Sequence, residues 1–155
     1  MTHRDLAALL GRETIAAVVA DFYDRVQRDP ALAPTFIHVQ DWDAVKSRLS
    51  HFWWIDLGGE RYRDDVYNPH TVHRHFGARP EQVEPWLRLF EATVRDHVPA
   101  DLAERWLTRV RRMADWVRIE LQKPAPDAAK NHCKKSFLTP RRNRWTRNTR
   151  KPPCA

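Results

Sequence analysis

Glycine and cysteine are scarce in this chain of 155 residues, and no long apolar run is present. Four glycines are too few for a turn-rich all-β fold or for a glycine-rich phosphate loop. Two cysteines cannot build a disulfide framework. No apolar stretch approaches the roughly 20 residues of a membrane span, and the opening residues lack the features of a secretory signal. We therefore expect a soluble, cytoplasmic chain without a membrane partner, with one domain whose core draws on seven Trp and six Phe.

Positive charge is concentrated at the C-terminal end. Residues 124–155 hold nine Lys and Arg and one acid, whereas residues 1–123 hold 18 basic and 19 acidic residues. Five prolines and few aliphatic side chains predict that residues 124–155, here called the tail, are disordered and separate from a domain at 1–123. A basic arm with Trp145 as a stacking residue could bind nucleic acid. A solvated extension is the preferred interpretation, because basic composition alone is weak evidence.

Helical periodicity dominates residues 1–123. Apolar residues recur at spacings of three and four in several segments, which predicts amphipathic helices. Asp41 suits the N-cap of one of them, and Pro69 and Gly77 bracket a short helix. No alternating strand pattern exceeds a few residues, so the expected fold class is all-α, with five or six helices. The apolar faces consist of Ile15, Val18, Val19, Phe22 and Val26; Trp42, Val45, Leu49, Phe52 and Trp53; Val83, Trp86, Leu87, Phe90 and Val94; and Leu102, Trp106, Val110, Met113, Val117 and Leu121.

Histidine is the most informative residue type for a site. His70 and His73 share one face of the short helix, whereas His75 points about 200° away from His73, given 100° per residue. The spacing of His70 and His73 suits zinc, but no third ligand is evident. His51 lies off the apolar stripe of its helix and is expected to face solvent. A surface or structural role explains each histidine equally well, so the cluster alone identifies no site.

Two aromatic residues with polar tips accompany the apolar faces. Tyr23 follows Phe22, so its hydroxyl is expected to enter the interior. Trp86 begins the apolar face of a later helix, and its indole N–H can only donate a hydrogen bond. Ordinary packing in the core is the alternative explanation for both residues.

Four stretches together resemble the truncated haemoglobins, most closely their third group. Their order and spacing carry the resemblance, since His73 follows Pro69 by four residues and Trp86 follows His73 by 13. The resemblance extends from about residue 14 to residue 121 and implies a two-over-two helical sandwich around a haem. The stretches are FYDRVQRDPALAPTF (22–36), DWDAVKSRLSHFW (41–53), YNPHTVH (67–73) and WLRLFEATV (86–94).

The resemblance implies roles for individual residues. His73 matches the proximal ligand of the haem iron, and Tyr23 and Trp86 match residues that donate hydrogen bonds to the bound ligand. Val45 stands where many relatives have a distal histidine, so that role is not available here. His70, one turn before His73, remains a competing iron ligand. The other residues matched to the haem pocket are Phe36 at the porphyrin edge and Leu49, Phe52 and Trp53 along the pocket roof.

The chain departs from the group in the segment before Pro69. Residues 61–68 read RYRDDVYN, where the group usually has Tyr-x-Gly-x-Pro.

Lys46, next to Val45, could at most reach a haem propionate. The basic tail lies outside the family pattern altogether.

The resemblance implies a haem b protein with a five-coordinate iron that binds oxygen or another diatomic ligand. Two donors beside the ligand would slow its release. Slow release suits sensing, or redox chemistry on oxygen, nitric oxide or peroxide with a reductase as partner, better than oxygen transport. The alternative is a haem-free helical interaction module whose basic tail binds nucleic acid.

Overall fold

The computed structural model describes residues 6–65 and 67–124, without the side chains of Pro69, His70 and Thr71. Every regular element within these residues is helical, which confirms the all-α prediction. None of the described helices is both long and apolar enough to cross a membrane. The helices are α1 (Leu6–Leu10), α2 (Arg12–Arg28), α3 (Trp42–Asp56), α4 (Pro69–His75), α5 (Val83–His97) and α6 (Ala100–Gln122), with 3₁₀ turns at Ala33–Phe36 and Pro80–Gln82.

The ends of α3 and α4 follow the local sequence signals. The Asp41 carboxylate accepts a hydrogen bond from the backbone N–H of Ala44 at 2.9 Å, which confirms the predicted N-cap. Gly77 follows α4 with a φ of 70°, a left-handed conformation that glycine adopts without strain. The sequence pattern did not predict α1, because a helix of five residues is too short to show a periodicity.

The core is built around the aromatic residue Phe90. Helix α2 packs against α3 and α5, and α5 packs against α6. The Phe90 ring centroid lies 5.0 Å from that of Phe22, 5.1 Å from that of Trp53 and 5.8 Å from that of Trp106. All four residues are buried, so one aromatic cluster joins α2, α3, α5 and α6.

The described residues belong to one compact unit that ends at Pro124. The predictions of a disordered tail and of nucleic-acid binding through Trp145 concern residues 125–155 almost entirely. Those residues lie outside the described part of the chain, so both remain predictions.

Candidate functional site

A cavity of about 310 Å³ lies between the five helices α2 to α6. Its walls are mainly apolar and come from every one of these helices and from the segments before and after α4. The eight residues that the resemblance matched to a haem pocket all line this one cavity: Tyr23, Phe36, Val45, Leu49, Phe52, Trp53, His73 and Trp86. Residues separated by up to 63 positions in the sequence therefore meet at one site.

Helix α4 contributes an imidazole to the cavity. His73 and Phe76, which the spacing places on one face, both line the wall. His75 is exposed and does not line it. His73 is the only described histidine side chain in the wall. The side chain of His70 is not among those that the structure describes. The choice between His70 and His73 as iron ligand therefore remains a prediction.

Tyr23 presents a neutral hydroxyl to the cavity. The residue is 8% exposed, and burial, with a smaller effect from the neighbouring Tyr67, raises its pKa well above the usual value. The rings of Phe22 and Phe36 contact it edge-on. Among the described residues, none forms a hydrogen bond with this hydroxyl. The hydroxyl therefore remains protonated at neutral pH and can donate to a molecule in the cavity.

Trp86 occupies a fixed place in the same wall. Its ring stacks on Phe90 with 11° between the planes and meets Phe22 edge-on at 5.4 Å between centroids. These contacts hold the indole in one orientation, since both partners are buried. Its N–H supplies a second donor at the site, because indole can only donate.

Tyr67 and Gln82 also line the cavity, although neither residue was predicted to belong to a site. The Tyr67 ring packs edge-on against Phe52 at 5.0 Å, and burial raises the pKa of Tyr67 to about 12. The Gln82 amide donates to the Ala31 carbonyl at 3.0 Å and to Thr35 Oγ1 at 2.7 Å. Neither residue belongs to the apolar face of a predicted helix, so the periodicity gives no signal for them. Only the position of Gln82, just after Pro80, could have indicated a role.

Two guanidinium groups stand at the mouth of the cavity. Arg48 and Arg79 line it, and their side chains are 48% and 66% exposed. Asp65 lies beside Arg48, and hydrogen bonds from Arg63 and Arg48 hold the pKa of its carboxyl well below the usual range. Arg48 pairs with Asp65 at 3.3 Å and Arg79 pairs with Glu81 at 3.2 Å, so a carboxylate ligand at the mouth would share either guanidinium with that partner.

His51 is not exposed to solvent, contrary to the expectation from its helix position. It is 5% exposed, and its Nε2 accepts a hydrogen bond from the backbone N–H of Tyr62 at 3.3 Å. The Tyr62 ring packs against it at 4.5 Å, and the Arg12 guanidinium lies 3.6 Å above that ring. The prediction was wrong because the segment after α3 folds back over the helix and covers the face that lies off the apolar stripe.

Lys46 lies outside the cavity, and the described residues form no cluster that could hold a metal ion. The Lys46 ammonium pairs with Asp24, 2.6 Å from Nζ to Oδ1, and Lys46 does not line the cavity. In the described part of the chain, no three His, Cys, Asp or Glu side chains come together to hold a metal ion. The zinc interpretation thus gains no third ligand among these residues.

The chemistry of the walls fits one kind of group. Flat aromatic and aliphatic surfaces suit a large planar apolar molecule, and an imidazole suits a transition metal at its centre. The exposed Arg48 and Arg79 suit carboxylate substituents at its edge. These are the features of haem, so the residues present fit this cofactor.

Comparison with known proteins agrees with this fit. Residues 7–119 match the sequence pattern of the bacterial-like globins. A group 3 truncated hemoglobin from Campylobacter jejuni is 30% identical over 93 residues, which cover 55% of this chain and 70% of that protein. The crystal structure of the group III truncated hemoglobin from Campylobacter jejuni superimposes with a TM-score of 0.66 and 28% identity, over 76% of this chain and 95% of that chain. The chain therefore belongs to the bacterial-like globins, a haem-binding family, and within it to the group III truncated haemoglobins.

Proposed function

We propose that this globin holds haem b with His73 as the protein ligand of a five-coordinate iron, and that it binds oxygen or another diatomic ligand beside Tyr23 and Trp86. The observation that supports the proposal is the cavity itself, whose walls contain one described imidazole and, among their aromatic hydrogen-bond donors, Tyr23 and Trp86. The haem iron, when bound, supplies the position at which a diatomic gas is held.

Five-coordination is supported by the composition of the walls. Val45, which the resemblance matches to the position of a distal histidine in many relatives, lines the cavity and carries no lone pair. The raised pKa of Tyr23 keeps its hydroxyl protonated, which disfavours a phenolate ligand. Met113 also lines the cavity, and its thioether is a weak ligand compared with imidazole. His73 is therefore the favoured protein ligand among the described side chains.

Tyr23 and Trp86 would act on the ligand by donating hydrogen bonds. Bound oxygen carries partial negative charge, so a neutral hydroxyl and an indole N–H both stabilise it. Each charge-assisted hydrogen bond contributes about 1.5–3 kcal/mol, which corresponds to roughly a 10- to 100-fold slower release. Such retention favours sensing or redox chemistry over oxygen delivery.

Arg48 and Arg79 would hold the cofactor at the cavity mouth. Each guanidinium presents several donors in a fixed fork that matches a carboxylate. Because both side chains are partly exposed, each pairing would add little to affinity and would mainly orient the cofactor.

The absorption spectrum of the purified protein tests this proposal. The pyridine adduct of the extracted cofactor should have the bands of haem b, and the ferrous protein should have the single broad visible band of a five-coordinate iron. Met113→Leu should leave that spectrum unchanged. A six-coordinate ferrous spectrum that becomes five-coordinate in Met113→Leu would contradict the proposed coordination, and a purified chain that takes up no haem would contradict the function.

A further inference from the structure

Helix α4 is weakly anchored by apolar contacts. It has seven residues, fewer than an isolated helix needs for stability in water. None of its described side chains is fully buried, and Phe76, just beyond its end, is 43% exposed. Some other contact must therefore fix its position, because a helix that carries an iron ligand has to present its imidazole in one direction.

Arg74 provides that contact with the end of α6. Its Nη2 donates to the carbonyl of Glu120 at 2.5 Å, and its Nη1 donates to the carbonyl of Pro124 at 3.2 Å. The last carbonyls of an α-helix have no partner within the helix and carry partial negative charge. A guanidinium there is stabilised by the helix dipole and by two hydrogen bonds at once.

The planar, forked shape of the Arg74 guanidinium is as important for anchoring α4 as its charge. Two nitrogens of this one planar group reach two carbonyls, one in the last turn of α6 and one beyond its end. Such a grip fixes the rotation of α4 about its own axis, whereas a lysine ammonium in the same place would bind as a single point.

Rotation of α4 is the motion that would displace His73. Arg74 follows His73 directly, so the two side chains leave the helix about 100° apart. His73 lines the cavity while Arg74 reaches the end of α6. With side chains extending about 5–6 Å from the helix axis, a rotation of about 10° moves the imidazole by about 1 Å. A displacement of that size changes the geometry of a metal–ligand bond.

We infer that Arg74 is a positioning residue for His73, holding the direction of its imidazole by anchoring α4 to the carbonyls of Glu120, in the last turn of α6, and of Pro124, just beyond it. The inference rests on the proposed role of His73 as iron ligand. It also links the end of the globin domain to the iron, because Pro124 is one of the two anchoring points.

Resonance Raman spectroscopy of the ferrous protein reads the iron–histidine bond directly. Arg74→Met keeps much of the side-chain length but removes both hydrogen bonds, so the iron–histidine stretching band should shift and broaden. Haem transfer to an apo-globin acceptor should become about tenfold faster or more, because tenfold already corresponds to the loss of one of the two charge-assisted hydrogen bonds. Arg74→Lys keeps the charge and should give an intermediate band. The control is Arg88→Met, because the Arg88 side chain is 74% exposed and pairs only loosely with Glu84 at 3.5 Å.

The result that would overturn the inference is a wild-type stretching band in folded, haem-loaded Arg74→Met, even if its stability falls. If Arg74→Met does not fold, Arg74→Lys decides, and a band identical to the wild type again overturns the inference. His73→Gly separates this failure from failure of the proposed function. If His73→Gly keeps the wild-type haem spectrum, the ligand assignment is wrong; if it loses that spectrum while the Arg74 variants keep theirs, only the positioning role is wrong.

Discussion

Trp86 lies face to face with Phe90, with ring centroids 5.2 Å apart and ring planes 11° apart. Because Phe90 is 1% exposed and sits at the centre of the core, removing the indole disturbs packing as well as hydrogen bonding. Tyr23→Phe removes only a hydroxyl and keeps the ring contacts with Phe22 and Phe36. It is therefore the cleaner probe of the distal donors.

Tyr23→Phe should increase the oxygen dissociation rate by about tenfold or more, the factor for the loss of about 1.5 kcal/mol. Carbon monoxide is nearly nonpolar when bound and should respond far less, so flash photolysis and stopped flow should compare the two gases. Trp86→Phe should also speed oxygen release. Oxygen rates within twofold of the wild type in both variants and in the double variant would contradict the donor assignment.

If the two donors also bond each other when a ligand is present, the pattern of rates changes in a recognisable way. Removing the Tyr23 hydroxyl would then free the Trp86 N–H to bind the ligand more strongly. Oxygen would leave Tyr23→Phe more slowly than the wild type, and the double variant would release it fastest.

The helices could be predicted because their signals are periodic or local, whereas the residues of the cavity were predicted from the resemblance to the truncated haemoglobins. Asp41 and Gly77 mark helix ends by chemistry that acts within a few residues. The exposure of His51 was predicted wrongly, and Tyr67 was not predicted to line the site. The burial of both depends on how the segment after α3 folds back, which no periodicity encodes. Gln82 was missed for the same reason, since its partners, Ala31 and Thr35, lie 47 to 51 residues away.

His51 should make stability depend on pH below neutrality. Burial is the main cause that lowers its pKa below 6.5, with Arg61, Arg63 and Arg12 acting in the same direction and Asp65 acting against them. The folded state therefore prefers the neutral ring, which accepts from the Tyr62 N–H. This contribution is complete above about pH 6.5 and is lost as the pH falls from there through the folded-state pKa.

Melting curves of His51→Phe at several pH values check this dependence. At pH 7.5 the variant should be less stable by about 1 kcal/mol, since the Tyr62 N–H loses its acceptor. The difference from the wild type should shrink towards pH 5. The exposed His38 offers a control, and His38→Phe should follow the wild type throughout. A difference for His51→Phe that stays constant from pH 7.5 to pH 5 would contradict a neutral, accepting imidazole.

Most of the tail should be dispensable, but the truncation point matters. A chain that ends at Ala125 keeps the Pro124 carbonyl that Arg74 binds, and we expect its melting temperature within a few degrees of the full chain and the same Soret maximum. A chain that ends at Lys123 loses that carbonyl and should release haem faster. Any nucleic-acid binding should disappear in both chains and, in the full chain, weaken steeply with salt.

A large fall in melting temperature for the chain that ends at Ala125 would show that the tail packs on the globin domain. Phe137, Leu138 and Trp145 are the apolar tail residues able to contribute such a contact. Their replacement by Ser in the full chain should then reproduce the fall, and calorimetry would measure both.

The haem spectrum of His73→Gly, recorded with and without added imidazole, shows whether His73 is the iron ligand. If His73 is the iron ligand, the variant should lose haem or the wild-type Soret band, and free imidazole should restore the band by filling the space left by the side chain. His70→Ala and His75→Ala should keep the wild-type spectrum. If His70→Ala abolishes the spectrum while His73→Gly retains it without imidazole, the iron is bound one helical turn earlier, which contradicts the proposed ligand.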